Sequence, residues 1–307
     1  MTEATSSDGG EADRARFRAL GSYAGVEIDD AREFLRRMRP AGGPEVARVV
    51  NLAPDSGPGV AVRIYHPRPD AVLPVLVWTH GGGWCVGDAD TTDEVCRHLA
   101  SRIGCVVVSI DHRRAPEHPF PAPLDDVVTA LEWVVAEAPR IGADPTRVAV
   151  GGESSGANLT LAALLRRQAA GSGGRPVCQV LVVPLADLDD RPSMRNDRDP
   201  GLTVADLRWF HRQYAPGSSD PQVFPLHAPS LEGLPPTTVV TAGRDPLRDS
   251  GLALVARLIA GGVAVDHLHR PDAGHGLLGD LSYGAPGCDV LGRLVALLRA
   301  EMMDSGD

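Results

Sequence analysis

The sequence predicts an α/β domain built on a mostly parallel sheet with helices on both faces. From residue 74 onward, short apolar runs alternate with segments of helical periodicity, which is typical of repeated strand–helix units. The apolar runs occupy residues 75–79, 105–110, 147–151, 178–183, 237–241 and 263–268. Because these runs are apolar throughout, rather than at every second position, we expect strands that are buried on both faces, as parallel strands are.

The bulk composition disfavours several kinds of partner and site. The 307 residues carry a formal net charge of −10, which repels nucleic acid and anionic membranes. No apolar run approaches the roughly 20 residues of a membrane span, and the acidic N-terminus lacks the apolar segment of a signal peptide. The five cysteines show no paired short spacing. We therefore expect a cytoplasmic protein without a metal site.

The N-terminal region is expected to be helical and to lead into a hairpin. Residues 1–12 are expected to be disordered. Residues 12–39 have the amphipathic pattern of one or two helices that end before Pro40. Two β-branched runs, 47–54 and 59–67, then predict an antiparallel hairpin.

A long insertion interrupts the regular alternation between the strands that end at 183 and begin at 237. Its helical stretch carries three aromatic side chains, Trp209, Phe210 and Tyr214. Aromatic residues above the carboxyl edge of a sheet suggest a lid over a site, although a surface helix packing its own aromatics has the same pattern. The predicted domain division is an N-terminal helical cap segment, 1–45, and a main domain, 46–307, with a cap insertion at about 190–235.

The stretch "GGESSGANL" places a candidate nucleophile between a strand and a helix. Ser154 has glycine two positions before it and two positions after it, which is the G-x-S-x-G pattern of a nucleophile elbow. The sharp turn leaves the hydroxyl exposed at the sheet edge, above a helix N-terminus that favours negative charge. Ser155 follows, and its backbone N–H would face an oxyanion. A simple helix N-cap is the alternative role for a serine here.

A glycine-rich loop, "WTHGGGWCVGD", follows the first parallel strand. Gly81, Gly82 and Gly83 allow close approach of the backbone to a ligand and can aim N–H groups at one point, as an oxyanion hole requires. The alternatives are a flexible loop or a phosphate cradle. The cradle is disfavoured because no Lys-Ser/Thr pair or immediate helix follows.

Two later loops supply a candidate acid and a candidate base. "AGRDPLRDSG" offers Asp245 and Asp249, of which Asp245 lies closer to the end of its strand. His275 lies between two glycines in "DAGHGLLGD", an unusual place for a core histidine. The chain order Ser154, Asp245, His275 is the order expected for this type of sheet.

A cluster of polar residues in "DHRRAPEHPFP" suggests a metal site at first sight. It holds Asp111, His112, Glu117 and His118. The prolines stiffen the segment and no helical pair of histidines four residues apart is present, so we do not expect a metal there.

Five motifs together resemble the hormone-sensitive-lipase family of α/β-hydrolases, which includes bacterial carboxylesterases. They are "HGGGWCVGD", "DHRRAPEHPFPAPLDD", "GGESSGANL", "LPPTTVVTAGRDPLRDSG" and "AGHGL", in the family's order over about residues 74–278. The resemblance implies an α/β-hydrolase fold with a helical cap, and an activity that needs no cofactor.

The resemblance also implies a role for each site residue. The nucleophile would be Ser154, the acid Asp245 and the base His275, with an oxyanion hole at the glycine loop and the Ser155 N–H. For the substrate pocket we expect Trp84, Trp209, Phe210, Tyr214 and Leu277.

The motifs depart from the family pattern in several places, which leaves the triad whole but affects substrate preference. Glu153, Ser155 and Ala157 stand where Asp, Ala and Gly are usual. His112, Arg114 and Leu277 replace a tyrosine, a leucine and an aromatic residue.

The expected function is hydrolysis of carboxylic esters with short acyl chains or small alcohols, through an acyl-enzyme intermediate. Two alternatives remain open at this point. One is an amidase or deacetylase acting on a secondary metabolite, and the other is a relative that binds or eliminates a ligand without hydrolysis. A small-molecule ester is the expected partner, and a homodimer is a further expectation.

Overall fold

A mixed eight-stranded sheet forms the centre of the molecule in our computed structural model, which describes residues 22–39, 41–172, 174–195 and 201–303. The expected disorder of residues 1–12 lies outside these ranges. The strands are β1 Arg48–Leu52, β2 Ala61–His66, β3 Leu73–Thr79, β4 Val106–Asp111, β5 Ala143–Glu153, β6 Cys178–Val182, β7 Thr237–Ala242 and β8 Val265–Arg270.

The strand order is β1-β2-β4-β3-β5-β6-β7-β8. The six strands from β3 to β8 run parallel, as their apolar runs predict, and β1 and β2 form the expected antiparallel hairpin. The predicted fold class, a mostly parallel sheet of the α/β-hydrolase type, is therefore confirmed.

Helices cover both faces of the sheet. They are α1 Ile28–Met38, α2 Asp93–Leu99, α3 Ala122–Glu137, α4 Ser155–Ala169, α5 Val204–Tyr214, α6 Arg248–Ala260 and α7 Pro286–Met303. Along β3, Val75 and Val77 pack into the core beneath α3, α4 and α6, while Leu76 and Trp78 pack into the core beneath α2 and α7. None of the helices in the described ranges has the length and apolar character needed to cross a membrane.

Strand β8 differs from the pattern that its sequence suggests. The apolar run at 263–268 predicts a strand buried on both faces, but the strand lies at Val265–Arg270 and exposes Asp266, His267 and His269. The physical reason is its position at the edge of the sheet, where one side of the strand has no neighbouring strand.

The N-terminal segment packs against the insertion helix. The Tyr23 ring lies 5.2 Å from the Phe210 ring and 6.1 Å from the Phe34 ring, measured between centroids. The Ala24 N–H donates to Asp206 at 2.9 Å. Asp206 also completes the capping box that starts α5 at Thr203. Helices α1 and α5 thus form one layer above the carboxyl edge of the sheet.

The segment after α1 is fixed to the sheet through a buried carboxylate at the start of α2. Asp93 accepts hydrogen bonds from the Tyr65 hydroxyl at 2.7 Å, from Arg63 at 3.2 Å, from Arg97 at 2.7 Å and from the Gly42 N–H at 3.0 Å. Burial opposes ionisation, but these donors, Arg97 and Tyr65 foremost, hold the pKa of Asp93 below its usual value.

Replacing this carboxylate should destabilise the fold. In Asp93→Asn, the half-buried guanidinium groups of Arg63 and Arg97 lose their buried counter-charge, and we expect the free energy of unfolding in urea to fall by about 3 kcal/mol. The control is Asp90→Asn, which removes the neighbouring exposed partner of Arg63 and should cost less than about 1 kcal/mol. Equal losses in the two variants would contradict the structural role of Asp93.

Candidate active site

The three candidate catalytic side chains meet at the carboxyl edge of the sheet. Ser154 follows β5, Asp245 follows β7 and His275 follows β8. Parallel strands bring these ends to one rim, because every strand finishes on the same side of the sheet. Residues that are far apart in the chain are therefore neighbours in space.

The turn between β5 and α4 holds Ser154 in a strained backbone conformation, with φ 57° and ψ −119°. The flanking glycines are required by close backbone contacts. A Cβ on Gly156 would lie 2.1 Å from the Thr79 carbonyl oxygen and 2.3 Å from that of His80, and a Cβ on Gly152 would lie 2.5 Å from the Gly156 carbonyl carbon. The elbow thus depends on packing against the end of β3.

A continuous chain of hydrogen bonds links the three side chains. The His275 Nε2 lies 2.8 Å from the Ser154 Oγ, and its Nδ1 lies 2.9 Å from the Asp245 Oδ2. The second carboxylate oxygen of Asp245 accepts from the Leu247 N–H at 2.8 Å. Asp249, the rejected candidate, instead accepts from the Ser193 N–H at 2.8 Å and is not part of the chain. This arrangement can deprotonate a hydroxyl and stabilise the resulting imidazolium.

The glycine loop lies against the serine turn. A Cβ on Gly81 would lie 3.3 Å from the Ser154 Cβ, so the loop and the candidate nucleophile are in contact. Gly82 and Gly83 adopt φ values of 118° and 58°. Within the described residues, the N–H groups of Gly82 and Gly83 donate to no other protein group. They are available to a ligand beside the Ser154 hydroxyl, as is required of an oxyanion hole.

The hydroxyl of Ser155 contacts the same loop. Its Oγ accepts from the Trp84 N–H at 3.2 Å, and Trp84 has a positive φ of 62°. The alanine that is usual at this position has no such acceptor. Ser155 thus adds a contact between α4 and the glycine loop.

Two stacked histidines support the loop from below. His80 and His112 lie 4.3 Å apart with an interplanar angle of 15°, and both are buried. The His80 Nδ1 lies 2.8 Å from the Gly81 carbonyl oxygen. Burial lowers the pKa of His80 to about 4 and that of His112 to about 3, so both rings are neutral near pH 7.

Glu153, directly before the candidate nucleophile, is held by an arginine from the N-terminal region. The Arg39 Nη1 and Nη2 donate to the two Glu153 carboxylate oxygens at 2.6 and 2.9 Å. Burial opposes ionisation of Glu153, but the facing Arg39 guanidinium keeps the pKa of this carboxyl below its usual value. The sequence analysis did not identify Arg39.

A cavity of about 570 Å³ opens above Ser154. Apolar side chains of α1 and α5 form much of its upper wall, with Arg39, Thr91, Thr92 and Asp280 around the remainder. The apolar residues of the two helices that line it are Phe34, Leu35, Met38, Leu207 and Phe210. The α1 residues were not named in the sequence analysis, although they form one face of its amphipathic pattern.

Four of the five predicted pocket residues do not line this cavity, and Phe210 alone among them does. Trp84 is buried, stacks on Tyr214 at 4.4 Å and donates through its indole to Asn158 at 3.2 Å. Trp209 lies on the flank of α5, and Leu277 points into the core beneath α7. The type of a side chain does not reveal which face of a helix or turn meets a cavity, because that depends on how the element packs.

The structure does not gather the polar cluster at 111–118 into a group suited to a metal, within the ranges that it describes. A different group comes together, in which Asp187, Asp189 and His227 have ligand atoms within 4.8 Å of one another. The Asp187 carboxylate already accepts from the Arg191 Nε, at 3.0 Å to Oδ2, and from the Arg191 Nη2. Its charge is therefore neutralised by a protein side chain.

Comparisons with known proteins agree on fold and chemistry. Residues 76–279 match a family model described as the alpha/beta hydrolase fold. The chain is 38% identical over 295 residues to the carboxylic ester hydrolase LipN of Mycobacterium tuberculosis, covering 91% of this chain and 78% of that protein. It is 33% identical over 280 residues to an ethyl acetate hydrolase of Pseudomonas putida, covering 86% and 87%. A solved esterase of Pyrobaculum calidifontis is similar with a TM-score of 0.83 at 32% identity, covering 93% of this chain and 97% of that chain.

A methyl group on Gly156 should disrupt the elbow. Because it would meet two backbone carbonyls that cannot rotate away, we expect Gly156→Ala to lower the melting temperature by several degrees or to prevent folding. Gly174→Ala is the control, since nothing lies within 4 Å of its added Cβ. A Gly156→Ala variant with the melting temperature of the parent would contradict the close approach.

The buried histidines should make the fold acid-sensitive. Because both rings have a folded-state pKa below the unfolded value of about 6.5, the unfolded chain binds more protons and stability falls as the pH drops from about 6.5 to 4. In His112→Phe, this loss should shrink by up to about 3 kcal/mol, measured by urea unfolding at a series of pH values. Exposed His118→Phe is the control, and a His112→Phe variant with an unchanged pH dependence would contradict the prediction.

Proposed function

The chain belongs to the alpha/beta hydrolase family, among the carboxylesterases related to hormone-sensitive lipase, and on that premise we propose that Ser154, His275 and Asp245 are its catalytic groups. It is a carboxylesterase-type hydrolase, as its relatives are. The observation that supports the residue assignment is the unbroken hydrogen-bond chain from the Ser154 Oγ through the imidazole to the Asp245 carboxylate.

Acylation begins with proton transfer to the imidazole. The His275 Nε2 accepts the Ser154 hydroxyl proton as the Oγ attacks the ester carbonyl carbon. The buried Asp245 carboxylate accepts from the Nδ1–H, which fixes the tautomer and stabilises the imidazolium without itself taking the proton. The carbonyl oxygen becomes an oxyanion, and the N–H groups of Gly82, Gly83 and Ser155 donate to it.

Release of the alcohol completes acylation, and deacylation then repeats the steps with water. The tetrahedral intermediate collapses, the C–O bond to the alcohol breaks, and the imidazolium returns its proton to the leaving alkoxide. Water then enters, loses a proton to the His275 Nε2 and attacks the acyl carbon. Ser154 leaves as the alkoxide, recovers the proton, and the carboxylic acid is released.

The proposed substrates are esters with short acyl chains or small alcohols. A cavity of about 570 Å³ accommodates a compact ester. One relative is named an ethyl acetate hydrolase, and this name also supports small esters as the proposed substrates. Helix α1 with the N-terminal segment and helix α5 with the insertion form the proposed cap that encloses the substrate.

Two sequence-based expectations go beyond what the fold and the family determine. The cytoplasmic location remains a prediction. So does the homodimer, for which the outer strand β8 offers an edge, and light scattering coupled to size-exclusion chromatography would measure its mass.

Removing the proposed nucleophile should abolish turnover. In Ser154→Ala, kcat for p-nitrophenyl acetate should fall by about 10⁴-fold or more. Ser155→Ala is the matched control, because alanine keeps the backbone N–H and loses only the contact with Trp84, so its kcat should fall by about tenfold or less. Assays with N-acetylated amines in parallel would separate an esterase from a deacetylase. If Ser155→Ala were inactive and Ser154→Ala active, the assignment would be wrong.

A further inference from the structure

One arginine contacts both segments that carry the proposed nucleophile and base. Arg39 follows the last residue of α1, and its guanidinium forms a two-point ion pair with Glu153, the residue before Ser154. On the other side, a Cβ on Gly279 would lie 3.2 Å from the Arg39 Nε. Gly279 closes the short turn that follows His275. The guanidinium therefore lies between the serine elbow and the histidine loop.

The same residue is joined to the upper wall of the cavity. Leu35 and Met38, in the last turn of α1, line the cavity directly before Arg39. Any displacement of α1 away from the sheet must therefore move Arg39 as well. The side chain of Glu153 is only 5% exposed and that of Arg39 20% exposed, and two charge-assisted hydrogen bonds hold the pair together.

The strained turn at Ser154 needs contacts from neighbouring residues to hold its conformation. A backbone at φ 57° is strained for serine, and it persists only where the surrounding contacts determine it. Glu153 supplies one of these contacts, because its backbone is bonded directly to the strained residue and its side-chain carboxylate is held at both oxygens. A shift of about 1 Å at a reacting atom can cost on the order of 100-fold in rate.

We propose that Arg39 and Glu153 are positioning residues that couple the seating of α1 over the cavity to the alignment of Ser154 with His275, so that an ester too long for the cavity loses turnover rather than binding. This inference rests on the proposed function, since it assigns a role in the same reaction. It differs from direct substrate recognition by Arg39. Both Nη atoms of Arg39 already donate to Glu153, and a substrate carboxylate would have to displace that partner.

The coupling has a consequence for chain-length selectivity. A short acyl chain fits below α1 and leaves the ion pair intact. A longer chain must displace α1, which pulls Arg39 from Glu153 and releases the elbow. The apolar surface that a longer chain gains favours binding at the same time. Its KM therefore stays low while kcat falls.

Conservative variants test the coupling with little risk to folding. Glu153→Asp shortens the carboxylate by one methylene, and Arg39→Lys keeps the charge but cannot form the two-point pair. Arg37→Lys is the matched control, since this arginine is on the same helix and its side chain is 55% exposed. Melting temperatures show whether each variant is folded. The assays use p-nitrophenyl acetate, butyrate, octanoate and dodecanoate.

The expected result is a separation of kcat from KM. With the acetate ester, Glu153→Asp and Arg39→Lys should lower kcat by about 10- to 100-fold while KM changes by less than about threefold. The parent enzyme should lose kcat between butyrate and dodecanoate, and both variants should show a weaker dependence on chain length. Arg37→Lys should behave as the parent enzyme does.

Other results would overturn the coupling. Folded Glu153→Asp and Arg39→Lys variants with the parent kcat, or with kcat lowered by one factor at every chain length, would contradict it. If neither variant folds, the ester series measured with the parent enzyme still tests the coupling. A rise in KM at constant kcat with increasing chain length would contradict the coupling. An active Ser154→Ala would instead overturn the proposed function, so the two failures are distinguishable.

Discussion

The close packing of the β5–α4 turn against the end of β3 is the constraint on which the rest of the site depends. Gly156 lies so near the carbonyl oxygens of Thr79 and His80 that no side chain fits between them. This contact keeps Ser154 at a positive φ and points its hydroxyl over the rim of the sheet. The same contact brings the glycine loop, which begins at the end of β3, beside the hydroxyl. One piece of backbone packing therefore positions both the proposed nucleophile and the proposed oxyanion donors.

Near the β5–α4 turn, the other buried ionisable groups are paired or uncharged, and Asp245 is the carboxylate that contacts the His275 imidazole. The buried Glu153 is neutralised by Arg39, and the buried rings of His80 and His112 are uncharged near pH 7. Asp245 accepts from His275 at 2.9 Å. In the proposed reaction, the positive charge on the imidazole would therefore have an adjacent counter-charge that needs no rearrangement. The neutral histidine pair supports the glycine loop without competing for that role.

Much of the fold could be predicted from the sequence because buried parallel strands have a recognisable pattern of apolar residues. Fully apolar runs between amphipathic helices predicted the six parallel strands, and the β-branched runs predicted the hairpin. The apolar run at 263–268 predicted a strand buried on both faces, but β8 is partly exposed at the edge of the sheet. The edge position of β8 depends on strand order, which local composition does not reveal. Glycine spacing and strand ends predicted which side chains meet at the rim.

The residues that line the cavity were harder to predict than those that meet at the rim of the sheet. Trp84 and Tyr214 are aromatic and near the site, but they stack on each other inside the core. The cavity instead takes Leu35 and Met38 from α1, and Arg39 follows them. Their contact with the site depends on the angle at which α1 crosses the sheet edge, and an amphipathic pattern gives the buried face of a helix but not its direction. The pairing of Arg39 with Glu153, across more than a hundred residues of chain, has no local sequence signal.

The assignment of Ser154 as the nucleophile is tested most directly by mapping a covalent adduct. The enzyme would be treated with a fluorophosphonate, digested, and sequenced by fragmentation mass spectrometry, which distinguishes Ser154 from the adjacent Ser155. We expect one phosphonylated residue, Ser154, with loss of activity in proportion to labelling. An adduct on Ser155 or elsewhere, or complete inactivation with Ser154 unmodified, would contradict it.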